Sequence, residues 1–159
     1  MKRAIAILLA AIMLVSLAAC GAKAKTFTAE ELSIELTDAF TEADYEGYTK
    51  SFDSSKVAVF VLREDKAQLG DLKLSLDEYA QLVYSANVNR NPQSVKKEGE
   101  MPYFEYEFTG TDNQTVFHYY TTMHESDGAF WIVQFATKQA QWDKLKADVQ
   151  KYAASVSFK

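Results

Sequence analysis

The chain holds one cysteine, two histidines, two prolines and six glycines, and each scarcity removes a class of function. One cysteine excludes an internal disulfide and a thiolate metal cluster. The two histidines, His118 and His124, share parity on one predicted strand. Six residues at roughly 3.3 Å each set them about 20 Å apart, too far to ligate one ion. Each is expected to be exposed or hydrogen-bonded. With so little glycine and proline there is no phosphate-binding loop, no nucleophile elbow, no zinc spacing and no long linker tract. Lysine and arginine nowhere cluster, which excludes nucleic acid as an expected partner. No metal and no cofactor is expected.

One long apolar run is present, and it opens the chain. Lys2 and Arg3 precede the stretch from Ala4, which closes on Leu17-Ala18-Ala19-Cys20. A charged start, an apolar core and small residues before the cleavage point resemble the signal of a bacterial lipoprotein. The resemblance implies that residues 1–19 are removed and that Cys20 becomes a lipidated, fatty-acylated first residue. The other reading is an uncleaved signal anchor, but the run of 17 residues lies at the bottom of the roughly 17 to 25 that a spanning helix needs. Either reading exports the domain beyond Cys20. Losing Lys2 and Arg3 leaves 15 cations against 22 acids, a charge of −7. Residues 20–25, small and charged, read as the lipidated tether, and 26–159 as one domain, since no repeat or composition shift divides them. With 9 Tyr, 10 Phe and 2 Trp, about 130 residues suffice for one packed core.

Within that domain Leu32, Ile34 and Leu36 alternate with polar neighbours and predict a first strand, followed by a weaker one around Tyr45 to Phe52. Val57 to Leu62 is apolar at both parities, as is Ala129 to Phe135, so both strands are expected to be covered on both faces. Ser75-Leu76-Asp77-Glu78 fits a capping box, with Leu74 and Tyr79 at the staple positions. Leu76, Tyr79, Ala80, Val83 and Ala86 form the stripe of the helix it starts, and Asn87 to Pro92 stops it. Tyr103 to Thr109 and Val116 to Met123 read as a hairpin around Gly110-Thr111-Asp112-Asn113. Phe104, Tyr106 and Phe108 are expected to face the core, with Glu105, Glu107 and Thr109 facing water. Trp142, Leu145, Val149 and Tyr152 mark a second helix, and Val156 and Phe158 a closing strand. The sum is an α+β fold, a mostly antiparallel β-sheet with a helix packed on each face.

The order of these elements, the opening ELSIELTDAF, the stretch FWIVQFAT before a Trp-containing helix and the ending SVSF resemble the small Gram-positive-type lipoproteins with a PsbP-like domain. That superfamily also holds the Mog-type and DcrB-like proteins. The resemblance implies a PsbP-like α/β/α sandwich and a binding, assembly or accessory role without catalysis. Of functional residues it carries over only the lipidated Cys20.

Candidate chemistry is sparse. Glu105 and Glu107 sit about 7 Å apart along one strand face, a spacing compatible with a glycosidase pair, but alternating acids on an outer face are ordinarily solvated. Asp112 and Asn113 offer two oxygens where calcium takes six to eight. Tyr103, Tyr119 and Tyr120, beside Phe117, form the one region suited to a partner surface, because tyrosine joins an apolar body to a polar tip. The expected function is a lipid-anchored extracytoplasmic binding or accessory protein of the cell envelope, not an enzyme. It meets the membrane through Cys20 and an envelope protein, peptide or glycan through the tyrosines. The runner-up is a carboxylate-dependent hydrolase of wall polymer. A bilobed solute receptor would need two domains.

Mass spectrometry of the membrane form is expected to find a mature chain that begins at a modified Cys20, with Cys20→Ala blocking that maturation. An unmodified Met1 on most molecules would contradict the lipoprotein signal.

Overall fold

The computed structural model describes residues 22–70 and 72–159, so Cys20 and the signal lie outside the described residues. Ten strands and two helices follow in the order β1 (Ala24–Ala29), β2 (Leu32–Thr37), β3 (Thr41–Ala43), β4 (Lys50–Asp53), β5 (Val57–Asp65), α1 (Leu76–Ala86), β6 (Lys96–Glu98), β7 (Met101–Thr109), β8 (Val116–Glu125), β9 (Ala129–Lys138), α2 (Trp142–Ala154) and β10 (Ser157–Phe158). They build a seven-stranded sheet in the order β3-β4-β5-β9-β8-β7-β6 and a three-stranded sheet in the order β1-β2-β10. Every pairing is antiparallel.

The strand whose sequence is apolar at both parities, β9, takes the central place between β5 and β8. Successive side chains of a strand point to opposite faces, and the two sets on β9 enter two cores. Trp131, Val133 and Phe135 pack with Val57, Val59 and Val61 of β5, with Leu32, Ile34 and Leu36 of β2, and with Trp142, Val149 and Tyr152 of α2. Phe130 and Ile132 pack with Phe104, Tyr106 and Met123, and with Tyr79, Ala80 and Val83 of α1. Tyr79 stacks on Phe130 with ring centroids 4.2 Å apart, and its hydroxyl donates to Glu64 Oε2 at 2.9 Å. Burial and that carboxylate both push the phenol pKa upward.

Helix α1 starts where the capping box places it. Ser75 Oγ accepts from the Glu78 amide at 3.3 Å, and the Glu78 carboxylate accepts from the Ser75 amide at 2.8 Å. The stripe is Tyr79, Ala80 and Val83, with Leu76 half-buried; Ala86, the last residue of the helix, is exposed.

Three expectations change. Strand β1 begins at Ala24, opposite Thr37, within the residues 20–25 read as a tether. Its first three residues bury no side chain, so backbone pairing to β2 extends the strand where hydrophobicity gives no signal. The turn that closes this hairpin is Glu30-Glu31, with Glu30 at φ 53°, and it lacks the Asn or Gly that marks such turns. The strand expected from Tyr45 to Phe52 is a loop followed by the short β4; β3 ends before it at Ala43, and in the loop Gly47 takes φ 89°. An L-residue strand cannot continue through that conformation. Finally, β5 is fully buried on one face only, with Ala58, Phe60 and Leu62 partly covered on the other.

Trp142 is 5 % exposed, so Trp142→Ala is expected to cost roughly 3 to 5 kcal/mol. Ser75→Ala removes a cap and is expected to cost about 1 kcal/mol. Urea midpoints of the two variants measure the order, and a larger loss from Ser75→Ala would contradict the packing described for α2.

Candidate functional site

The hairpin register settles the two glutamates. Glu105 lies opposite Tyr120, and Glu107 opposite His118, so Glu105 and His118 are diagonal neighbours on one face. There Glu105 is buried, at 5 % exposure, which corrects the expectation that it faces water. His118 Nε2 lies 2.8 Å from Glu105 Oε2, and the Trp142 indole stacks on the imidazole at 4.0 Å. Strand alternation would leave this face wet; helix α2 instead covers it with Trp142. The hydrogen bond from His118 holds the Glu105 carboxyl below its ordinary value against the opposing effect of burial, with Lys146 adding to the lowering. An ionised carboxylate only accepts, so His118 Nε2 carries the donated hydrogen. His118 Nδ1 is buried without a partner. Glu107, two residues on, is exposed, so the two carboxylates do not share one environment.

His124 is separate. Thr122 Oγ1 donates to the Val133 carbonyl at 3.0 Å, leaving the hydroxyl to accept from His124 Nε2 at 2.9 Å. Burial pushes His124 down to about 4. Among the described residues no three His, Cys, Asp or Glu group to hold a metal. Asp112 closes its own turn: Oδ1 accepts from the Gln114 and Thr115 amides at 2.9 and 2.8 Å. These bonds, with the Thr115 hydroxyl, lower its carboxyl to about 2.

The three tyrosines divide by parity. Tyr120 is fully buried, donating to Glu98 Oε2 at 3.2 Å, and Tyr103 packs against it at 4.9 Å; both lie on the α2 side. Tyr119 alone stands on the other face, stacked on Tyr106 at 4.8 Å.

That other face is covered by α1 over Phe104, Met123 and Phe130, and the helix stops there. Beyond it the register places Ala58 of β5 beside Ala136 of β9, Ala136 beside Tyr119 of β8, and Lys138 beside Phe117 beside Phe108. Two small side chains thus form a floor between aromatic walls. Phe117 and Tyr119 stand on one side. On the other is Phe60, against which the β3–β4 loop lays Tyr45 at 5.2 Å and Tyr48 at 4.8 Å. The result is an open groove of about 370 Å³, within the range of small-ligand sites. Tyr45, Tyr48 and Phe108 remain 42 %, 41 % and 45 % exposed, and Arg90 donates to Tyr106 Oη at 2.8 Å. Gln134 donates to both Tyr106 Oη and Thr121 Oγ1 at 2.9 and 3.0 Å, fixing the ring next to Tyr119. Of these residues, sequence patterning placed Tyr119 and Phe117 in the region suited to a partner; Tyr106 and Phe108 it placed facing the core, and Phe108 instead lies exposed beyond the end of α1. The legible signal for the rest was Phe60 on the second parity of β5, an apolar residue with no helix available to cover it.

No protein-family model matches the chain, and no curated protein matches it in sequence. Solved structures do resemble it. The cyanobacterial PsbP (CyanoP) of Synechocystis sp. PCC 6803 has a TM-score of 0.54 at 12 % identity, over 87 % of this chain and 92 % of that one. A protein of Bacteroides thetaiotaomicron VPI-5482 has a TM-score of 0.59 at 14 % identity, over 86 % of this chain and 48 % of its own length. LpqN of Mycobacterium tuberculosis, a protein involved in cell envelope biogenesis, has a TM-score of 0.50 at 8 % identity, over 87 % and 91 %. The fold is PsbP-like, a mostly antiparallel sheet with two helices.

His124 and Glu105 both contribute to the acid side of stability. The unfolded chain takes up a proton on His124 near 6.5, and the folded chain refuses it until about 4, so stability falls as the pH drops through that window. Glu105 is lowered from 4.5, so its contribution is intact above 4.5 and is lost below it. Urea midpoints measured from pH 7.5 to 3 are expected to decline below about 6.5, with His124→Gln flattening the part from 6.5 to 4 and Glu105→Gln the part below 4.5. A wild-type midpoint constant from 6.5 to 4 would contradict the burial of His124.

Proposed function

We propose that this chain is a lipid-anchored, extracytoplasmic binding or accessory module of the cell envelope, which holds a partner on its open aromatic face and performs no chemistry on it. Its fold reads as a PsbP-like sandwich in which α1 and α2 are the outer layers. The observation that carries the proposal is the groove beside α1, where Phe60, Phe117 and Tyr119 line a small-residue floor and Tyr45 and Tyr48 stand exposed. Exposed aromatic rings rimmed by polar groups mark interaction sites. The lipoprotein-like signal supports the address, as does the envelope role of LpqN. Among the described residues no helix is long and apolar enough to cross a membrane.

The hydrolase reading loses its support at Glu105. A general acid needs a carboxyl raised toward neutrality and open to substrate, whereas Glu105 is lowered, paired with His118 and covered by Trp142.

A photo-crosslinking residue placed at Tyr48 in cells is expected to give a discrete envelope adduct. The same residue at Lys151, exposed on α2, is expected to give none. Equal labelling from both positions, or none from Tyr48, would contradict the binding face.

A further inference from the structure

The groove's lining carries a local excess of positive charge in an acidic chain. Lys56 and Lys138 are exposed and, like Lys144 and Lys151 elsewhere, make no ion pair among the described residues, but these two share one groove. One acid, Asp53, lines it with them and accepts from the Tyr45 hydroxyl at 3.3 Å. Two cations against one acid beside aromatic walls favour an anionic occupant.

The floor decides what kind of anion. Its backbone belongs to β5 and β9, both paired on each side, so every ladder hydrogen bond of the floor is already made. An extended peptide lying there would bury its own amides over alanine methyl groups without partners, at the cost of unsatisfied polar groups. A sugar ring meets the opposite conditions. Its C–H face is apolar and suits Phe60, Tyr119 and the floor of Ala58 and Ala136, while its hydroxyls project outward to Ser55 and Gln141 at the rim. We infer that the groove binds an acidic saccharide, with sugar rings against the aromatic walls and the acid group held between Lys56 and Lys138. This inference rests on the binding-face reading and names its ligand class.

The test titrates the full chain in detergent micelles, by calorimetry, with tetragalacturonate and with a hyaluronan tetrasaccharide. Cellotetraose and chitotetraose serve as neutral comparisons, and tetraglutamate as the acidic peptide. At least one acidic tetrasaccharide is expected to bind about tenfold more tightly than its neutral counterpart, in line with a charge-assisted contact. The double variant Lys56→Ala/Lys138→Ala is expected to abolish that difference, and Tyr45→Ala, a loop substitution outside both cores, to weaken acidic and neutral sugars alike. Equal affinity for acidic and neutral sugars, or no binding of any sugar, would overturn the inference. Lysine-dependent binding of tetraglutamate alone would overturn it too, yet leave the binding face standing. Absence of every probe together with absence of crosslinks from Tyr48 would remove both.

Discussion

The structure depends on a single constraint: β9 is apolar at both parities and sits at the centre of the sheet, so both of its faces must be covered. One set, Trp131, Val133 and Phe135, receives α2 and the β1-β2-β10 sheet. The other, Phe130 and Ile132, receives α1. The two coverings are unequal in length. Beyond Ile132 the second face continues through Gln134 and Ala136 to Lys138, and α1 does not extend over it. The remainder is closed only by side chains of the β3–β4 loop, which is how the fold acquires an open aromatic groove beside a finished core.

The same constraint explains the His118–Glu105 pair. It lies on the side that α2 closes, so two polar groups were carried inside with the core. A buried carboxylate in that position must be hydrogen-bonded; His118 Nε2 supplies that bond, and Trp142 stacks on the imidazole. Chemistry would require access, which the opposite face has and this one lacks. Buried polar pairing thus lies on one side of the sheet and open aromatic surface on the other.

Much of this was legible in the residues. The capping box at Ser75, the two-parity run of β9 and the stripe of Trp142, Val149 and Tyr152 each state a local preference that the tertiary structure shares, so reading them needed no knowledge of neighbours. Glu105 was not legible. Its own strand alternates as a half-wet strand does, and its burial comes from Trp142, which lies 37 residues later. β1 gave no signal because Glu30-Glu31 lacks turn chemistry and Ala24 to Thr26 bury nothing. Tyr45 and Tyr48 have the pattern of strand residues, but Gly47 turns the chain between them and the loop brings both to Phe60. For Glu105 the deciding contact came from a partner distant in sequence; for β1, Tyr45 and Tyr48 it came from a neighbouring strand.

The central claim is that the face beyond α1 is open in the isolated protein and occupied in its native setting. Hydroxyl-radical footprinting read residue by residue tests it directly, on the purified full chain and again in native membranes. Strong modification of Tyr45, Tyr48 and Phe108 in the purified chain is predicted, with Tyr79 and Tyr120 protected in both samples and the first three protected once the protein is in its membrane. Tyr45 and Tyr48 as protected as Tyr79 in the purified chain, or equally modified in both samples, would contradict it.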